Sequence, residues 1–244
     1  MTDSTRGAPP AGAVLFDLDG TLADTAPDMA RALNLQLARH GRPPLPFEAI
    51  RPHVSHGARA MMRIGFALEA GEADYAALRQ EYLDIYGENL ALATAPFPGI
   101  PQLLEAVEAR RVPWGIVTNK PAWLTDPLMG SLGLAGRAAC VVSGDTAARP
   151  KPHPDPVLHA CRLIGVDPRE CWTVGDAQRD IAAGRAAGTG TLAALFGYLG
   201  EDDDPASWGA DGLIRAPLEV LDWLDAGGAG DPGSRPVLPA AAAK

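Results

Sequence analysis

The chain has 244 residues, with 27 glycines and 23 prolines, and its 21 Lys+Arg against 30 Asp+Glu give a net charge of −9. At roughly 150 residues per domain, that length allows one large domain or two small ones. A duplex-binding protein needs a basic face to neutralise phosphates, so the charge argues against nucleic acid as a partner.

Residues 1–12 are polar and lack the apolar run of a signal peptide, and they read as a disordered tail. Ala13–Phe16 is a short apolar run ending in acids, a buried strand. Residues 26–95 hold no strand pattern: Met29, Leu33 and Leu37, then Leu78, Tyr82, Ile85 and Leu90, keep helical spacing. Thr25-Ala26-Pro27-Asp28 predicts a capping box at the entry to this stretch. A helical insertion after the first strand lies over the crevice where parallel sheets bind ligands, so it is a natural cap domain.

Beyond it, strand and helix alternate. Ile100, Leu103, Leu104 and Val107 mark a helix, Pro113–Val117 a strand, Leu124–Leu132 a helix and Cys140–Val142 a strand. Val157, Cys161 and Ile164 mark a helix after the Pro-rich Lys151–Pro156. Cys171–Val174 is a strand, Ile181–Ala187 a helix, Thr191–Leu195 and Gly212–Ile214 two strands, and Leu218–Leu224 a last helix. The pattern predicts an α/β fold: a Rossmann-like three-layer core with a mostly parallel sheet, over 13–25 and 96–225. Residues 226–244 read as a second disordered tail. No run approaches the ~20 apolar residues of a membrane helix. Cys140, Cys161 and Cys171 form no C-x-x-C pair and read as buried thiols of a cytoplasmic protein. Monomer and homodimer both stay open.

The strand ends carry the chemistry. Asp17-Leu18-Asp19-Gly20-Thr21 places two acids directly after the first strand, on one side at period two. Paired carboxylates there repel without a cation, and Gly20 permits a sharp turn. Thr118-Asn119 after the second strand offers short hydrogen-bonding groups suited to a phosphate. Lys151, flanked by prolines, is a cation on a stiff loop. Gly175-Asp176 ends the fourth strand, and Asp180 follows four residues on; both suit a hard cation, with Mg²⁺ the default. Each motif alone also fits a plain turn or a solvated charge; four strand ends matched to phosphate and Mg²⁺ point to one site.

This quartet resembles the haloacid dehalogenase-like phosphatases, over nearly everything from Ala13 to Leu224. The resemblance implies that Asp17 is the nucleophile forming an aspartyl-phosphate, and that Asp19 is the general acid and base. It further implies Mg²⁺ on Asp17, Asp176, Asp180 and the main-chain carbonyl of Asp19. Lys151, Thr118, Asn119 and the backbone around Gly20–Thr21 are then expected at the transferring phosphoryl group. A small phosphate ester is the implied partner, with neither nucleic acid nor membrane.

The polar loop Arg51–Met62 of the insertion is the segment expected to reach the site. Within it Arg59 is a candidate carboxylate clamp, since guanidinium binds carboxylate bidentately, and His56 a candidate substrate contact. The loop and Thr118-Asn119-Lys120-Pro121 resemble the phosphoglycolate phosphatase branch. Gly57–Met61, Trp114–Pro121, Gly197-Tyr198 and Trp208–Asp211 are most similar to the N-acetylmuramic acid 6-phosphate phosphatases within it. His56 stands closer to the phosphoglycolate pattern, so both substrates stay open. A phosphomutase and a non-catalytic binding protein are the alternatives of other classes. No Gly-x-x-x-x-Gly-Lys-Ser/Thr loop occurs, which disfavours a P-loop enzyme.

Overall fold

A computed structural model describes residues 12–226. The tails expected at 1–12 and 226–244 lie outside that range, save Gly12, whose amide donates to the Glu170 carbonyl, and Ala226. The core elements in chain order are β1 (Ala13–Phe16), β2 (Ala23–Asp24), the insertion described below, β3 (Ala95–Pro96), α5 (Ile100–Ala109), β4 (Trp114–Val117), α6 (Ala122–Ser131) and β5 (Cys140–Val142). There follow α7 (Asp155–Ile164), β6 (Cys171–Gly175), α8 (Gln178–Ala187), β7 (Gly190–Ala194), β8 (Gly212–Ile214) and α9 (Val220–Asp225).

Six strands form one parallel sheet in the order β5-β4-β1-β6-β7-β8. Such a sheet is covered on both faces, which explains why its strands read as continuous apolar runs. Alternation along β1 sorts its side chains between the two layers. Val14 and Phe16 join Leu103, Leu104 and Val107 of α5 and Trp223 of α9 on one face. Ala13 and Leu15 join Val157 and Cys161 of α7 and Ala183 of α8 on the other. All three cysteines are buried and free, as their sequence context predicts.

The chain leaves β1 toward β4 on one side and is flanked by β6 on the other, so the strand order reverses beside β1. That is where α/β sheets leave a crevice at their carboxyl ends. The loops after β1, β4 and β6 all open there.

The insertion comprises α1 (Ala26–Arg39), α2 (Phe47–Ile50), a 3₁₀ turn (Arg51–His56), α3 (Gly57–Phe66) and α4 (Tyr75–Glu88). Its two crossings to the core lie side by side, because β2 pairs antiparallel with β3: Asp24 faces Ala95 and Ala23 faces Pro96. This pair at the two ends of the insertion was not expected from sequence, since two residues are too few for a period.

The expected capping box does not form. Thr25 occupies the N-cap of α1 without a capping bond, because its hydroxyl donates to Asp19 Oδ1 at 2.6 Å. Asp28 instead accepts from the amides of Ala93 and Thr94 and from the Thr94 hydroxyl. The two side chains serve the site and the return of the insertion to the core, so neither is left for the cap. No described helix is long and apolar enough to cross a membrane.

Candidate active site

Asp17 is the first residue past β1, and its amide still donates to Val174, so the strand register fixes its position. Its carboxylate is buried. Oδ1 accepts from Lys151 Nζ at 2.8 Å, and Oδ2 lies 3.8 Å from Arg179 Nη2. Lys151 Nζ also donates to the Val117 carbonyl at 2.6 Å and sits 2.7 Å from Asp180 Oδ1. Burial, then the Asp180 charge, push the Asp17 carboxyl up, with Lys151 and Arg179 pulling it back. Burial would lower the Lys151 ammonium, but Asp17 and Asp180 hold it above its usual range.

Asp176 closes the group from β6. Its Oδ2 accepts from the Ser55 hydroxyl at 2.6 Å and the Tyr198 amide at 2.9 Å, and Oδ1 accepts from Thr21 at 3.2 Å. Gly20, at φ +88°, and Gly197 press against this carboxylate, and a Cβ at either would collide with it. Asp180 is held by the Ala177 amide at 3.0 Å. Oxygens of Asp17, Asp176 and Asp180 lie within 4.8 Å of one another, all buried. Burial, then Asp17 and Asp180, push Asp176 up to about 7. Three hard oxygen donors that resist sharing negative charge are the donor set of a divalent cation such as Mg²⁺, so these residues fit the expected metal.

Asp19 faces the cavity. Its Oδ1 accepts from Thr25 at 2.6 Å and from Lys120 Nζ at 2.9 Å. Lys120 is itself buried, donates to the Tyr86 hydroxyl at 3.0 Å and lies 4.6 Å from the centre of that ring. Tyr86 belongs to α4, so a core cation joins the insertion to Asp19.

The structure gathers Asp17, Asp19, Thr118, Asn119, His56 and Arg59 around one cavity of about 370 Å³. Thr118 accepts from the Lys120 amide at 3.1 Å, which leaves its hydroxyl hydrogen to donate elsewhere. Asn119 lines the cavity, but its side chain is committed to the backbone of Lys151 in both directions, at 2.9 Å each. Gly20 and Thr21, expected at the phosphate, serve Asp176 instead. Their amides donate to Ala23 and Leu18 carbonyls within the tight turn, and the Thr21 hydroxyl is taken by Asp176. The polar loop of the insertion does reach the site, through Ser55, His56 and Arg59. Arg59 stands at the rim, largely exposed, with Nη2 3.1 Å from Glu69. Burial, then the Arg179 charge, lower His56, which favours a neutral ring there.

Sequence reasoning passed over Lys120, Arg179 and Ser55. A signal for the first was present: the chain has three lysines, Lys120, Lys151 and Lys244, against 18 arginines. A surface written in arginine leaves its lysines conspicuous, and two of them are buried in this cleft.

The sheet order, the inserted cap and the acids at two adjacent strand ends place the chain in a defined class. It belongs to the haloacid dehalogenase-like hydrolases, whose family model matches residues 11–188. Among its relatives, N-acetylmuramic acid 6-phosphate phosphatase of Pseudomonas aeruginosa is 46% identical over 213 residues, covering 87% of this chain and 94% of that protein. Phosphoglycolate phosphatase of Xanthomonas campestris is 46% identical over 209 residues, covering 85% and 94%. A crystal structure described as a predicted phosphoglycolate phosphatase from Haemophilus somnus superposes with a TM-score of 0.76 at 26% identity, covering 86% of this chain and 96% of that one.

Proposed function

We propose that this chain is a Mg²⁺-dependent phosphomonoesterase that works through an aspartyl-phosphate on Asp17, with N-acetylmuramic acid 6-phosphate as its substrate. The observation that carries the reading is the pairing of Asp17 and Asp19 on one cavity, the first beside the buried carboxylate cluster and the second facing open space. Asp17 attacks phosphorus while Asp19 gives its proton to the departing ester oxygen. Asp19 then takes a proton from water, the water attacks the aspartyl-phosphate, and orthophosphate leaves with Asp17 regenerated. Lys151 holds Asp17 in place from one oxygen, and Thr118 donates to the transferring group. Asp17, Asp176, Asp180 and the main-chain carbonyl of Asp19 would hold Mg²⁺, which supplies charge neutralisation for the anionic nucleophile and phosphoryl oxygens.

Two features favour the sugar ester over the two-carbon one. Relatives at 46% and 42% identity carry the N-acetylmuramic acid 6-phosphate name. The cavity, at about 370 Å³, also falls in the range that encloses drug-sized ligands, more than a two-carbon ester fills. The phosphoglycolate reading rests on the equally similar relative from Xanthomonas campestris. Phosphate release from both esters, measured in parallel with Mg²⁺, separates them by the ratio of kcat/KM. We expect the sugar ester to lead by more than tenfold; a lead for 2-phosphoglycolate would reverse the assignment.

A further inference from the structure

We infer that Arg179 supplies cationic donors to the transferring phosphoryl group, from the edge of Asp17 that Lys151 does not occupy. This rests on the phosphatase reading above and deepens it. An ammonium has three N–H groups. Two of those of Lys151 are held, by the Val117 carbonyl at 2.6 Å and Asp17 Oδ1 at 2.8 Å, and the ammonium is ion-paired with Asp180 Oδ1 at 2.7 Å. Lys120 donates to Asp19 and Tyr86, on the side of the general acid. Arg59 stands at the rim against Glu69.

Arg179 differs from all three. It sits in the first turn of α8, between two acids of the cluster, and lines the same cavity as Asp17 and Asp19. Its side chain is only 19% exposed. Its ion-pair partners are Asp17 Oδ2 at 3.8 Å and Asp180 Oδ1 at 3.9 Å, both beyond hydrogen-bond range. Among the described residues the guanidinium has no hydrogen-bond acceptor at all. None of its donors is buried without a partner, so the fork opens on the cavity, where a ligand's oxygens can take it. A tetrahedral oxyanion on Asp17 places oxygens beside that fork, on the carboxylate edge opposite Lys151. Planar, doubly pointed donors match two oxygens of one phosphoryl group. Lys151 thus positions Asp17, and Arg179 holds what Asp17 receives.

The test is orthophosphate binding in the presence of Mg²⁺, read by calorimetry and as product inhibition, for the wild-type chain, R179Q and R179K. We expect R179Q to weaken orthophosphate at least tenfold and to lower kcat more than it raises KM, with the Mg²⁺ activation constant unchanged. R179K keeps the charge without the fork and should recover part of the loss; it also serves if R179Q folds poorly. Orthophosphate affinity within twofold of wild type in R179Q overturns the inference. So does a shift in the Mg²⁺ constant alone, which would assign Arg179 to the carboxylate cluster. A wild-type chain that binds orthophosphate through Arg179 yet releases none from any ester would instead overturn the phosphatase reading.

Discussion

Asn119 and Lys151 hold each other across 32 residues by two hydrogen bonds, the Asn119 amide donating to the Lys151 carbonyl and accepting from the Lys151 amide, each at 2.9 Å. The loop after β4 thereby sets where the ammonium beside Asp17 sits. Asn119→Ala removes both bonds while leaving the ammonium itself in the chain. Misplacing a catalytic group by an ångström costs up to about 10²-fold in rate. Steady-state kinetics should give a kcat 10- to 100-fold lower, roughly, with a melting temperature close to wild type. An unchanged kcat would show that the prolines alone fix the loop.

Lys120 and Asp19 form a nearly buried pair, with side chains 5% and 14% exposed. Lys120→Met leaves the Asp19 carboxylate with Thr25 as its one remaining partner among those bonds. Removing one member of a buried ion pair destabilises by about 3 kcal/mol. Thermal melts should show a loss of several degrees, and kcat/KM should fall more than tenfold because the general acid is no longer held. Wild-type kinetics in this variant would mean that Thr25 alone orients Asp19.

Asp176 gives a pH signature. Its folded-state carboxyl is pushed from the ordinary 3.8 up to about 7. Between those values the folded chain binds a proton that the unfolded chain has lost. The stabilisation from this group is therefore complete below about pH 4 and disappears as pH rises through 7. EDTA-treated protein should melt lower at pH 8 than at pH 5.5, and Asp176→Asn should lose part of that difference. Added Mg²⁺ should restore wild type at pH 8, since the metal replaces the proton. Equal pH dependence in wild type and variant would remove Asp176 as its source.

The fold was legible because its strands are buried on both faces and carry unbroken apolar runs such as Ala13–Phe16 and Cys171–Val174. The acids Asp17, Asp176 and Asp180 were legible for a related reason: a charge at the end of such a run has nowhere neutral to go. What sequence could not convey was competition for donors. Thr25 was expected to cap a helix and is drawn to Asp19; Asn119 was expected on substrate and is held by Lys151. Ser55, 121 residues from Asp176, reaches it through the packing of the insertion on the core, which no local spacing encodes. Arg179 carries no motif of its own, and only the folded cleft shows it facing two acids without a hydrogen bond to either.

Phosphate release by Asp17→Asn, beside the wild-type chain and with Mg²⁺, is the most direct test of the central claim. The substitution keeps the side chain's shape and removes the nucleophilic oxygen's charge. Wild type should release orthophosphate from N-acetylmuramic acid 6-phosphate, and the variant should release none above background. Undiminished release by the variant would contradict an aspartyl-phosphate on Asp17 and the assignment built on it.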